Sequence, residues 1–167
     1  MKKGFRSSVI IFALLGYVMA SCEKPTVFED DVFISDLYEK ATDTLLFEGS
    51  KYMVETYLYR NLMPGGPIPE KRPLISILFL VNIDSLDIND HLELEMLYVI
   101  NGDLIYQAIP EYLEENNPPN YKQSFICREG PAWATEIHVD VVLELSSKTD
   151  DARFFLIARD QVIEKVW

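Results

Sequence analysis

The side chains best suited to acid–base or metal chemistry in this chain are its two histidines and a few acidic clusters. His138 stands between Glu136 and Asp140 in a strand-like segment, where alternate residues share one face. A zinc site needs several converging ligands, and one strand face offers a histidine and two acids at most. The sequence therefore favours a solvated charged face over a metal site at His138.

The segment DSLDINDH at 84–91 is a second place where a metal ion could bind. Its oxygen-rich side chains suit calcium, but their spacing lacks the alternating ligands and central glycine of an EF-hand loop. Acidic loops between strands are usually solvated turns. We therefore predict no bound metal and no cofactor.

Covalent and hydrolytic catalysis have little support in the sequence. The chain contains no G-x-S-x-G elbow, no H-E-x-x-H pair and no glycine-rich phosphate loop. Cys127 has no evident histidine partner, and beside Phe125 and Ile126 it is expected to pack as a small buried hydrophobe. The sequence predicts a protein that is not an enzyme.

One enzymatic alternative stays open. Glu111, Glu114 and Glu115 lie close together in a proline-bearing segment, and paired carboxylates can catalyse glycosidic chemistry. Such catalysis requires a defined separation within a cleft and one raised pKa. The alternative function is an enzyme, or an enzyme accessory, that acts on a cell-envelope polymer through these carboxylates.

Aromatic side chains are the candidates for a binding surface. Two proline-bearing loops, at 63–73 and 109–121, are long enough to be functional. Rings on a loop or a sheet face can stack on sugars or anchor a protein partner. The alternative is that these rings close the ends of the core. The candidate binding residues are Tyr57, Tyr59, Tyr112, Tyr121 and Trp133.

The elements expected to position these rings are β-strands. Alternation is clearest at 134–145, ATEIHVDVVLEL, whose apolar residues fall on one face. The segment 74–84, LISILFLVNID, is apolar on both faces, which predicts a central strand that is covered on both sides or shielded by a loop. Asn101-Gly102 predicts a type I′ hairpin turn. The segment 152–159 is expected to pair with the 136–145 strand.

The expected fold class is all-β. The chain shows about seven to eight strand patterns with regular turns and no long amphipathic helix. This predicts one immunoglobulin-like β-sandwich of antiparallel strands over residues 43–167, and a small barrel would show the same alternation. Residues 22–42 are expected to form a tether with one short helical turn or an edge strand.

The N-terminus combines a basic segment with an apolar one. Lys2, Lys3 and Arg6 precede the run VIIFALLGYVMA at 9–20, which is the pattern of a secretory signal. The apolar run is shorter than the roughly 20 residues that span a membrane. Residues 1–21 are therefore expected to be a signal peptide.

The residues around Cys22 indicate lipid attachment. Met19, Ala20 and Ser21, followed by the cysteine, resemble the lipobox of bacterial lipoproteins of the Bacteroidetes type. The resemblance implies that Cys22 is acylated and begins the mature chain. The lipid would anchor the chain in the cell envelope, with the outer membrane as the expected location and the periplasmic and external faces both open. The alternative is an ordinary secretory signal cleaved near Ser21.

Net charge excludes several partners. The chain has 15 basic and 27 acidic residues, and loss of residues 1–21 would leave 12 basic ones, for a net charge of −15. Such a charge opposes binding to nucleic acid and to anionic lipid headgroups, so the attached lipid must anchor the chain in the membrane. The predicted function is a non-catalytic envelope lipoprotein that binds an unidentified envelope protein or glycan.

Overall fold

The computed structural model describes residues 25–65, 68 and 71–167. The predicted signal peptide, 1–21, and Cys22 lie outside these residues. Within them, no helix has the length and hydropathy needed to cross a membrane. The elements are β1 (Thr26–Glu29), α1 (Asp31–Lys40), β2 (Leu45–Phe47), β3 (Ser50–Asn61), β4 (Ile75–Asn82), β5 (Leu92–Asn101), β6 (Leu104–Ala108), β7 (Glu111–Tyr112), β8 (Lys122–Cys127), β9 (His138–Ser147) and β10 (Arg153–Val166).

The ten strands of the described chain form one curled sheet, which confirms the all-β class. Neighbouring strands follow the order β1-β6-β5-β9-β10-β3-β4-β8-β7, and β2 pairs with β3. Strand β10 makes the sheet continuous, because its residues 153–162 pair with β9 and its residues 163–166 pair with β3. The register shifts between Ala158 and Gln161, and Asp160 there has a φ of 58°. Such a bulge bends a strand and increases its twist.

This bend divides the sheet into two halves that face each other. The A half consists of β1, β6, β5, β9 and the first part of β10, and the B half consists of the end of β10, β3, β2, β4, β8 and β7. The immunoglobulin-like arrangement is not confirmed, because one sheet supplies both layers and β10 pairs with β3 in parallel. A parallel pair joins segments far apart in the chain, and alternation within each strand does not reveal it.

The main core lies between the two halves. From the A half, β9 contributes Val139, Val141, Leu143 and Leu145, which confirms the apolar face expected for this strand. From the B half come buried side chains of β3 and β4, including Leu58 and Leu78. The predicted pairing of β9 with β10 is also confirmed.

Strands β5 and β6 form the predicted hairpin, but the turn between them is not the predicted one. Asn101 pairs with Leu104, so the two loop residues are Gly102 and Asp103 rather than Asn101 and Gly102. Gly102 has a φ of 64°, a backbone conformation that glycine adopts without a steric cost. A type I′ turn requires a positive φ at both loop residues. Asp103 does not have a positive φ, and neither does Asn101, so a type I′ turn does not form.

The segment expected to be a tether contains both a strand and a helix. Strand β1 pairs with β6 at the edge of the A half. Helix α1 begins where the Asp30 side chain accepts a hydrogen bond from the amide of Phe33 at 2.9 Å. Its buried residues Ile34 and Leu37 pack on the outer face of the A half and form a second core with Tyr98, Ile100, Ile105, Val142 and Ile157. The helix is short, so tertiary packing rather than propensity stabilises it.

Candidate functional site

The outer face of the B half carries apolar side chains that no described helix covers. Along β4, residues 76, 78, 80 and 82 are buried in the interior, so the alternate residues point outward, and these are half-buried. On β3 the outward residues likewise alternate with buried ones. We define the open face as Met53, Tyr57, Tyr59, Ile75, Ile77, Phe79 and Val81.

The register of β3 and β4 makes this face contiguous. Tyr57 lies directly opposite Ile77, and Tyr59 lies directly opposite Ile75. Directly opposed side chains of an antiparallel pair are close enough to pack against each other. The rings of Tyr57 and Tyr59 also stack along β3, with centroids 5.1 Å apart and an angle of 27° between their planes. The open face is therefore a mainly apolar surface with a stacked tyrosine pair, and Glu55 lies within it, opposite Phe79.

Charged side chains border the open face. The ammonium of Lys122 lies 3.7 Å from the ring centroid of Phe79 and 3.3 Å from a carboxylate oxygen of Glu55. On the other side, Glu164 of β10 lies opposite Tyr59. Partial burial and the Glu164 carboxylate raise the pKa of Tyr57, so its hydroxyl stays protonated and can donate a hydrogen bond near neutral pH. The border is mainly acidic.

The structure brings together two of the five predicted aromatic residues. Tyr57 and Tyr59 are both on the open face, whereas Tyr112 of β7 lies opposite Phe125, which packs against the main core. The rings of Tyr112 and Phe125 have centroids 5.8 Å apart. Because paired residues share a face, Tyr112 lies on the face opposite to the tyrosine pair.

The remaining two aromatic candidates, Tyr121 and Trp133, are held by hydrogen bonds of their backbone carbonyls. The carbonyl of Tyr121 accepts a hydrogen bond from the amide of Asn82 at 2.8 Å. Trp133 packs against the main core, and its carbonyl accepts a hydrogen bond from Nη1 of Arg60 at 2.6 Å. The interpretation that some rings close the core therefore describes Trp133 well.

The apolar residues of the open face on β4 were missed as site residues. The sequence predicted that this strand is covered on both sides or shielded by a loop, and the face that carries Ile75, Ile77 and Phe79 is only partly buried, with no described helix over it. The sequence contains a pattern that could have identified the open face, because a strand that is apolar on both sides follows a strand with two outward tyrosines. Alternation alone does not say which apolar face is covered.

The acid–base candidates on β9 and β10 form a structural network. His138 Nδ1 lies 2.8 Å from a carboxylate oxygen of Asp160. Asp140 accepts hydrogen bonds from the Tyr38 hydroxyl and from the Asp160 amide, each at 2.7 Å. Burial, together with the bond to Asp140, raises the pKa of Tyr38 to about 12. Asp140 is thus not a freely solvated side chain, because it fastens α1 to the sheet.

Metal ligands do not converge in the described residues. No group of three or more histidine, cysteine, aspartate or glutamate side chains there is arranged to hold a metal ion. In the acidic 84–91 segment, one oxygen of Asp84 accepts a hydrogen bond from the amide of Lys51 at 3.2 Å. This contact joins the segment to the start of β3.

The remaining catalytic candidates have partners unrelated to catalysis. Glu111 pairs with Arg128 at 2.9 Å, Glu115 accepts a hydrogen bond from the Ser124 hydroxyl, and Glu114 is exposed. Cys127 is buried in the main core as expected, and burial raises the pKa of its thiol to about 12. A thiol of this kind carries almost no thiolate near neutral pH and is a weak nucleophile.

Similarity to known proteins adds no assignment. The chain matches no family model, and no curated protein or solved structure is similar enough to count as a match. The function must therefore be inferred from the residues and their arrangement.

Proposed function

We propose that this chain is a non-catalytic module of the bacterial cell envelope that is lipid-anchored at Cys22 and binds a partner protein through the open face. One observation carries the proposal. The outer face of the A half is covered by α1, whereas the equally apolar outer face of the B half has no described helix over it. A contiguous apolar surface that stays partly exposed in this way is typical of interaction sites.

The arrangement of the tyrosine pair favours a protein over a glycan. A sugar ring stacks flat on a free aromatic face, whereas Tyr57 and Tyr59 each turn one ring face to the other ring, so each ring offers only its second face. The Tyr57 hydroxyl donates a hydrogen bond to Glu164, and the edges of both rings lie beside the aliphatic side chains of β4. Glu55 lies on the face, paired with Lys122, and Glu164 lies at its edge beside Tyr59, so the complementary partner has an apolar surface with a basic group near Glu164.

The proposed anchor would keep the folded domain close to a membrane. Strand β1 begins at Thr26, four residues after Cys22. Four residues span at most about 14 Å when fully extended. The folded domain would therefore remain near the lipid surface, where a partner that is itself an envelope protein is accessible.

Site-specific photocrosslinking tests the open face. A photoreactive side chain at position 57, in the cell that encodes the chain, should give a discrete protein adduct. Because Tyr59 stacks on Tyr57 in the wild-type surface, Tyr59→Ala should lower the adduct yield about tenfold by removing a large central contact. The melting temperature should change by only a few degrees, since Tyr59 points away from the main core.

Tyr112 provides the matched control. It is also an exposed tyrosine on a strand, but on the opposite face, so a photoreactive group at position 112 should give no such adduct and Tyr112→Ala should leave the yield at position 57 unchanged. Equal adducts from both positions would contradict the proposal. An adduct that resists protease and disappears on glycan digestion would identify a glycan partner instead.

The anchor is tested independently with Cys22→Ser. We expect the wild-type protein to incorporate a palmitate analogue and to enter the detergent phase, because two or more acyl chains bind membranes stably. The variant should stay in the aqueous phase with an unchanged melting temperature. Cys127 cannot replace Cys22 as a lipidation site, because it is buried in the core. A variant that remains labelled and detergent-bound would overturn the anchor without affecting the open face.

A further inference from the structure

A cavity of about 670 Å³ lies between α1 and the sheet, and none of its lining residues belongs to the open face. Its volume is within the range of small-molecule sites, about 300–1,000 Å³. Its walls come from α1, from the α1–β2 connection and from β2, β5, β9 and β10. The lining residues include Leu37, Lys40, Thr42, Leu45, Glu144 and Arg153.

The interior of the cavity is apolar. Leu37 and Leu45 are buried, and the rings of Phe33, Phe154 and Phe155 complete the wall. Clefts of this size that are lined mainly by aliphatic and aromatic side chains are typical of small-molecule sites. The apolar part of a ligand would occupy this interior.

A closed polar cluster forms one wall of the cavity. Glu144, with 6% of its surface exposed, accepts a hydrogen bond from the Tyr98 hydroxyl at 2.7 Å and another from Nη1 of Arg153. Both carboxylate oxygens of Glu144 are therefore engaged. A ligand cation would have to displace Arg153 to reach this carboxylate.

The mouth of the cavity carries hydrogen-bond donors. The Arg153 side chain is 68% exposed, and its contact with Glu144 uses one of the five N–H donors of a guanidinium group. Lys40, also exposed, donates to Asp36 at 2.6 Å with one of its three donors. Asp36 also lines the cavity, so the mouth carries one carboxylate beside the two cations, and the donors of Lys40 and Arg153 that these contacts leave over could bind an anion.

We infer that this cavity binds a small amphipathic carboxylate, with the apolar chain between α1 and the sheet and the carboxylate at Arg153 and Lys40. Arginine presents a planar fork of donors that matches a carboxylate in a bidentate contact. The overall acidic charge of the chain opposes an anion only weakly at this site, because charges beyond about 8 Å are largely screened at physiological salt and the two cations at the mouth are closer.

Calorimetric titration of the purified protein with dodecanoate, below its micelle concentration, tests the inference. We expect saturable binding with one site, at least about tenfold tighter than binding of dodecyltrimethylammonium, which has the same chain and the opposite charge. Thr42→Trp should weaken dodecanoate binding at least about tenfold, because the indole fills the cavity from its rim. Thr42 is held through its backbone, whose amide and carbonyl bond Phe155 and Ile157, so the fold should persist.

A pair of lysine variants separates the charge at the mouth from general electrostatics. Lys40→Gln should weaken dodecanoate binding about threefold to fivefold, whereas Lys148→Gln should not change it. Lys148 is the matched control, because it is 51% exposed and paired with Glu93, much as Lys40 is 52% exposed and paired with Asp36. Absence of saturable binding, equal affinity for the ammonium probe, or equal effects of the two lysine variants would overturn the inference.

Discussion

Replacing Val141 with aspartate should cost several kcal/mol of the free energy of unfolding and leave the domain largely unfolded at room temperature. Val141 has no exposed surface and lies in the main core between the two halves of the sheet. An unpaired carboxylate at this position must either lose its hydration or bind a proton, and both are costly. Urea denaturation followed by circular dichroism would measure the loss.

Val162→Asp is the matched control for this prediction. Val162 is also a strand valine, on β10, but 41% of its surface is exposed, so the new carboxylate stays hydrated. We expect its free energy of unfolding to change by about 0.5 kcal/mol or less. Similar losses for both variants would mean that the main core is not where the structure places it.

Replacing Leu37 with alanine should lower the free energy of unfolding by about 2–5 kcal/mol. Leu37 is 1% exposed and is the central contact of α1 with the outer face of the A half. Replacement by alanine removes buried methyl groups and leaves a cavity into which the neighbouring side chains relax only partly. Urea denaturation would again report the loss, together with the unfolding rate.

Val32→Ala tests whether this loss comes from docking of the helix or from helix propensity. Val32 is on the same helix and is 81% exposed, and alanine has a higher helix propensity than valine, so its replacement should be neutral or slightly stabilising. If both variants left the stability unchanged, α1 would not be docked on the sheet.

The docked helix also reverses an expectation about the N-terminal segment. A tether over 22–42 predicts that removal of these residues leaves the melting temperature nearly unchanged. In the structure, removal of α1 would expose the second core, including Tyr98, Val142 and Ile157. It would also remove β1 from β6. The segment is therefore part of the fold from Thr26 onward, and the part that could serve as a tether is short.

The sequence by itself determined the local features of this fold. Period-two alternation identified the core-facing residues of β9, such as Val141 and Leu145, because a strand places successive side chains on opposite faces. It also indicated the β5–β6 hairpin, the β9–β10 pairing and the buried Cys127. Each of these depends on residues close together in the chain or on the character of one strand face.

Only the tertiary structure decided which second faces are covered. The alternation within β9 predicts that the face carrying Glu144 is solvated, but Glu144 and Val142 are buried on that face, where α1, about 100 residues earlier in the chain, packs. Ile77 and Phe79 were expected to be covered, and they form part of the open face. The parallel contact of β10 with β3 likewise joins distant segments. Contacts of this kind depend on how separate elements meet in space, and the pattern within one element carries no record of them.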